Sequence, residues 1–177
     1  MMGNQVTLRA SDGHELSAYV VGDKDSPYGL CILQEIFGVN AHIRSVCDRF
    51  ANRGYYVVSP ALFDRVERNV ELGYTASDVQ RGVALAGHLT DDDSLADTEA
   101  SVSFLGVRKS AVLGFCRGGS VAWLAAARLE GLAAAVGFYG GGIATNNDLV
   151  PGCPVQLHFG ERDSHIPLED VDRVQEL

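Results

Sequence analysis

Residues 111–123 read AVLGFCRGGSVAW. An apolar run ends in Gly-x-Cys-x-Gly-Gly and passes straight into an apolar segment with helical character. This is the strand–turn–helix context of a nucleophile elbow, G-x-S-x-G, with cysteine in place of serine. Such a turn holds its central residue in a strained backbone conformation that lifts the side chain above the sheet. Gly114 and Gly118 suit the crowding of strand against helix, and Gly119 lets the helix start pack on the sheet. The helix N-terminus aims amides and a positive dipole end at the Cys116 sulfur, which favours thiolate. The backbone N–H of Arg117 is positioned as one oxyanion donor. The competing readings are a small buried hydrophobe at a glycine-rich turn and a phosphate cradle. No GxGxxG follows the first strand and no GxxxxGK[ST] occurs anywhere, which favours the nucleophile.

The rest of the chain must supply a scaffold that presents this elbow. NQVTLRASDGHELSAYVV reads as two alternating runs around a turn at Ser11, Asp12 and Gly13, hence an N-terminal hairpin. YGLCILQE and YYVVSPAL are continuous apolar runs, as expected of strands buried on both faces. Between them, HIRSVCDRFANRG places Ile43, Val46, Cys47 and Phe50 at helical spacing and stops at Gly54. Residues 62–73 are polar and irregular and read as an excursion over one edge. ASDVQRGVALAGHL and DSLADTEASVSFL read as helix, with a break expected at Asp91, Asp92 and Asp93. KSAVLGF, LAAAVGFYG and CPVQLHFGERD each begin as strands; GGSVAWLAAARLE and PLEDVDRVQEL read as helices, and GGIATNNDLVPG as loop. Strands and helices alternate from residue 29 onward, which predicts a mostly parallel sheet with helices on both faces, in a single domain spanning 1–177. In such sheets the active site lies at the carboxyl ends of the strands.

Composition narrows the partners. The net charge of −9 argues against nucleic acid and means that any anion site needs local basic residues. No apolar run approaches the ~20 residues of a membrane span. The opening MMGNQVTLRASDG shows no basic segment followed by an apolar one, so a secretion signal is not expected. Cys31, Cys47, Cys116 and Cys153 form no CxxC pair and no zinc-like spacing, which points to reduced thiols in the cytoplasm. No histidine pair has metal spacing. Neither a metal nor a cofactor is expected, and a monomer is the default.

LQEIFGV, GFCRGG and HFGERD, in this order and spacing, resemble the dienelactone hydrolase family of the α/β-hydrolase superfamily. The matching positions run from about residue 30 to 170. The resemblance implies an α/β-hydrolase fold and no cofactor. It implies hydrolysis of a small lactone or ester, in the family dienelactone (4-carboxymethylenebut-2-en-4-olide) to maleylacetate, within bacterial breakdown of chloroaromatic compounds. In this fold the triad follows the order nucleophile, acid, histidine. Asp163 matches the triad acid, which orients the histidine and stabilises its cation; Glu161 is a less well-placed competitor. Glu35 matches a glutamate that helps to deprotonate the thiol when substrate binds. Ile36 corresponds to the second oxyanion-hole amide. Arg65 stands where an arginine grips the substrate carboxylate, a task suited to a bidentate guanidinium. Tyr139 matches a pocket position.

The match departs from the family at its C-terminal end and at Arg117. The triad histidine is expected one helix and one strand after Asp163, and the sequence stops at Leu177, within the expected helix. A final strand and a second carboxylate-binding arginine are expected beyond it too. The expectation is therefore a C-terminally truncated form of a longer enzyme. His165, two residues from Asp163, is too close on the same loop to lie between carboxylate and sulfur. His14, His42, His88 and His158 fall in the hairpin, helices or a strand, where packing or surface roles are the better reading. Arg117 is itself a departure, since the residue after the nucleophile is usually apolar. Two other functions remain open: a hydrolase fold that binds a small molecule without turnover, and a thiol redox sensor built on Cys116.

Overall fold

The computed structural model describes residues 3–106, 109–146 and 148–175. The expected hairpin forms as β1 (Asn4–Arg9) and β2 (Glu15–Val21), paired antiparallel with Leu8 opposite Leu16. β3 (Tyr28–Leu33), β4 (Tyr56–Pro60), β5 (Lys109–Phe115), β6 (Ala134–Phe138) and β7 (Val155–His158) arise from the apolar runs. The sheet order is β1-β2-β4-β3-β5-β6-β7. β2 runs antiparallel to β1 and β4, and every pairing from β4 to β7 is parallel. This is the α/β-hydrolase architecture. Residue 147 of the loop after β6 and the last two residues of the expected terminal helix lie outside the described residues.

The helices sort by face because strand side chains alternate. Leu30, Ile32, Val57 and Leu113 point to one face, against Ile43, Val46 and Cys47 of α1 (Ala41–Ala51). Cys31, Leu33, Val58 and Val112 point to the other, against Val121, Ala122 and Ala125 of α4 (Arg117–Arg128). The short α5 (Leu168–Gln175) buries Val174 beside Trp123 and Ile143. All four cysteines are free.

The helical stretch before β5 divides earlier than its acidic triplet suggested. α2 (Ala76–Ala86) ends at Gly87, and α3 (Asp91–Phe104) begins with the three aspartates. Thr90 caps α3 by accepting the Asp93 N–H at 3.0 Å, and Asp93 answers by accepting the Thr90 N–H. Carboxylates in a first turn are favourable beside the positive end of the helix dipole, so the triplet starts a helix instead of breaking one. α3 also lacks an apolar stripe. It buries Ser94, Asp97, Thr98 and Ser101. The hydroxyls of Ser94, Thr98 and Ser101 donate to carbonyls four residues back. Their polarity is thereby satisfied within the helix, and the small side chains let α3 sit against β1, β3 and β4.

Candidate active site

Cys116 occupies the junction between β5 and α4 with φ 55° and ψ −119°. A non-glycine residue there is strained, and the surrounding hydrogen bonds enforce it. Its N–H donates to Phe138 O at 2.9 Å, and its carbonyl accepts the Gly119 N–H at 2.9 Å. Glycine is required on either side by close approach. A Cβ on Gly114 would collide with the Gly118 carbonyl, and one on Gly118 would lie 2.5 Å from Leu33 O and 2.6 Å from Gln34 O.

The thiol opens on a cleft of about 410 Å³ lined by Ile36, Asp91, Arg117, Ser120, Gly142 and neighbours. Burial pushes the Cys116 thiol up. The Arg117 backbone N–H pulls it back towards thiolate, as the elbow geometry requires; the charges of Glu35 and Asp163 push it up again, against the Arg117 cation.

Glu35, just beyond β3, is held from two sides. Tyr139 Oη donates to Oε1 at 3.2 Å and Tyr74 Oη to Oε2 at 3.0 Å. Tyr139 takes its place through its own positive φ of 40°, with its N–H on His158 O at 2.7 Å. Burial and the Glu35 charge both push its phenol well up. The preceding Gln34 is 2% exposed and ties two segments together, accepting the Leu62 N–H and donating to Glu35 O. A buried amide inside an apolar run was a visible sequence signal of such a role. Tyr74 was not legible, because it lies in an irregular segment 39 residues from Glu35.

Asp163 sits in the turn after β7, where it accepts the His165 N–H at 2.8 Å, and its charge reaches Cys116. The His165 side chain is 93% exposed. His158 stacks on Phe138, and His42 lies edge-on to Tyr74. None of the residues lining the cleft at Cys116 is a histidine.

Arg65 departs from its expected place as a carboxylate grip. Its guanidinium is bidentate to Asp97, at 3.0 and 2.8 Å, and Nη1 also meets Asp12 and Asp93. Burial works against this cation, but the bonds to Asp97 and Asp12 more than offset it and hold it charged. It does not line the cleft. The physical reason is the fully buried Asp97, which needs a cationic partner and takes the nearest one. Arg117 sends its side chain to the α2–α3 junction, where Nη2 donates to Leu89 O and Ser94 Oγ. No described residues could together hold a metal ion. No helix among them is long and apolar enough to cross a membrane.

The sequence profile described as "Dienelactone hydrolase family" matches residues 16–177. A Synechocystis protein provisionally named a carboxymethylenebutenolidase is 32% identical over 82% of this chain and 65% of its own length. The carboxymethylenebutenolidase of Pseudomonas putida is 29% identical over 94% of this chain and 74% of its own. The crystal structure of a Klebsiella pneumoniae protein, provisionally named a dienelactone hydrolase, superposes with a TM-score of 0.76 at 28% identity. That match covers 98% of this chain and 80% of the other. The chain spans 65% of the length of the Synechocystis relative and of a similar one from Methylorubrum extorquens. Elbow, sheet order and sequence agree, and the chain belongs to the dienelactone hydrolase family.

Proposed function

We propose that this chain carries the acylation machinery of a cysteine-dependent hydrolase of small esters and lactones. The observation that carries the reading is Cys116 itself: a strained thiol at a helix N-terminus, facing a cleft, with the charge of Glu35 bearing on it. A raised thiol needs a base at the moment of attack, and Glu35, whose charge bears on the sulfur, is the base of this scheme. The thiol proton passes to Glu35 as sulfur bonds to the substrate carbonyl carbon. The backbone amides of Ile36 and Arg117 receive the oxyanion. The oxyanion then collapses, the acyl C–O bond breaks, and the leaving oxygen takes the proton from Glu35. Water cleaves the resulting thioester, which releases the acid and restores the thiol. Asp163 is the triad acid of this scheme by position.

Family membership and the Pseudomonas putida relative's name support a finer reading in which the substrate is dienelactone. The leaving group is then an enol that becomes the ketone of maleylacetate.

The test is intact mass of the full chain after incubation with p-nitrophenyl acetate, with Cys116→Ala as control. An acyl adduct on Cys116 that accumulates supports the nucleophile with slow release. One that forms and clears supports the whole cycle. No adduct overturns the reading. Cys31 and Cys47 are buried and do not compete.

A further inference from the structure

We propose that Arg117 is the anion-binding residue of the cleft, and that it selects acyl groups carrying a second carboxylate for transfer to Cys116. The selectivity rests on Cys116 being the acylated group. The anion site itself does not.

A chain of net charge −9, with Glu35 and Asp163 acting on the thiol, repels an anionic substrate unless a cation faces it in the cleft. Arg65 cannot be that cation, because three aspartates already occupy its guanidinium. Arg44 is paired with Glu71. Arg117 differs from both. It lines the cleft together with Cys116, and its only hydrogen-bond acceptors among the described residues are neutral, the Leu89 carbonyl and the Ser94 hydroxyl. Both bind Nη2, so the guanidinium is anchored at one corner while its charge stays unmatched. Nε is buried with no acceptor among the described residues. Asp91, exposed on the cleft rim, attracts the cation without forming an ion pair with it among the described residues. A half-buried guanidinium that meets no carboxylate is costly to maintain. A carboxylate entering the cleft would complete it with charge-assisted bonds. Arg117 thus offers two separate groups to one substrate: its backbone N–H to the oxyanion and its side chain to a remote negative charge. The two lie a few bonds apart, so the fitting ligands are monoesters or lactones of short diacids.

The first probe needs no turnover. Iodoacetate and iodoacetamide both alkylate a thiol with loss of iodide and differ in charge. Their rates at Cys116 are measured on the full chain by peptide mass mapping. In the wild type, iodoacetate is expected to react at least as fast as iodoacetamide. In Arg117→Met the iodoacetate:iodoacetamide rate ratio is expected to fall about tenfold, with partial recovery in Arg117→Lys. The ratio is the readout, because losing the cation also raises the thiol and slows both reagents alike. An unchanged ratio in Arg117→Met overturns the anion site. Should Arg117→Met fail to fold, Arg117→Lys against wild type is read with added glutarate. Protection of Cys116 from iodoacetamide by glutarate, and not by glutaramide, supports the site; equal or no protection overturns it. The second probe compares mono-p-nitrophenyl glutarate with p-nitrophenyl butyrate as acyl donors. A preference for the former that Arg117→Met abolishes supports the selectivity. Failure of both esters beside intact alkylation discrimination overturns acyl transfer and leaves the anion site standing.

Discussion

Tyr74 donates its hydroxyl to Glu35 Oε2 at 3.0 Å, and Tyr139 completes the grip on Oε1. Each bond to a charged group is worth about 1.5–3 kcal/mol. The bond fixes where the carboxylate stands, so Tyr74→Phe is expected to slow acylation of Cys116 through lost positioning of Glu35 without unfolding the chain, since Tyr74 is exposed. The check is a double-mutant cycle with Glu35→Gln. Coupling shows as little further loss in the double variant. Fully additive losses would mean that Tyr74 acts on something other than Glu35.

The strain at Cys116 has a measurable counterpart in stability. A backbone at φ 55°, ψ −119° costs a side-chain-bearing residue on the order of 1–3 kcal/mol, which glycine does not incur. Cys116→Gly is expected to be at least as stable as the wild type in urea unfolding while losing all acylation. A clear loss of stability would mean that the elbow is not strained. Gly118→Ala is expected to do the opposite, because its new methyl meets two carbonyl oxygens.

Removing Arg65 strands a buried charge. Asp97 is fully buried and bidentate to it. Loss of one partner from such a pair costs about 3–5 kcal/mol. Arg65→Met is expected to lower the unfolding free energy by that amount, and Asp97→Asn to lower it less, because an amide can stay buried without charge. If Arg65→Met instead left stability intact and weakened carboxylate binding, Arg65 would regain the role of substrate grip.

Alkaline pH should unfold the protein earlier than its acidic composition suggests. Burial raises the thiols of Cys31 and Cys47, the latter to about 12 against an ordinary value of 9.0. Burial and the bond to Asp48 raise the Tyr19 phenol to about 12. With pKa values raised in the folded state, the native chain holds protons that the unfolded chain releases. Stability is then full below about pH 9 and falls as pH rises from there towards 12. Each thiol contributes about 1.4 kcal/mol per pH unit in that window. Chemical unfolding between pH 8 and 11 should show this slope, and Cys47→Ala should flatten it. A pH-independent midpoint over that range would contradict the burial of these thiols.

The amino-acid sequence by itself determined the order of strands and helices, the parallel sheet and the elbow. These depend on near neighbours: apolar runs for doubly buried strands, helical spacing in α1 and α4, and a glycine pair that only a tight strand-to-helix turn requires. The candidate nucleophile was legible for the same reason, since its geometry is local. What the tertiary structure alone decided was who pairs with whom. Arg65 looked free for substrate until the fold brought Asp97, 32 residues away, into bidentate contact from a helix whose buried face is polar and carries no periodic signal. Glu35 acquired tyrosines 39 and 104 residues distant. Arg117 could be located next to the nucleophile from sequence, yet only packing showed its charge meeting neutral acceptors. Ion-pair partners are chosen by desolvation and distance after collapse, and one-dimensional spacing holds no record of either.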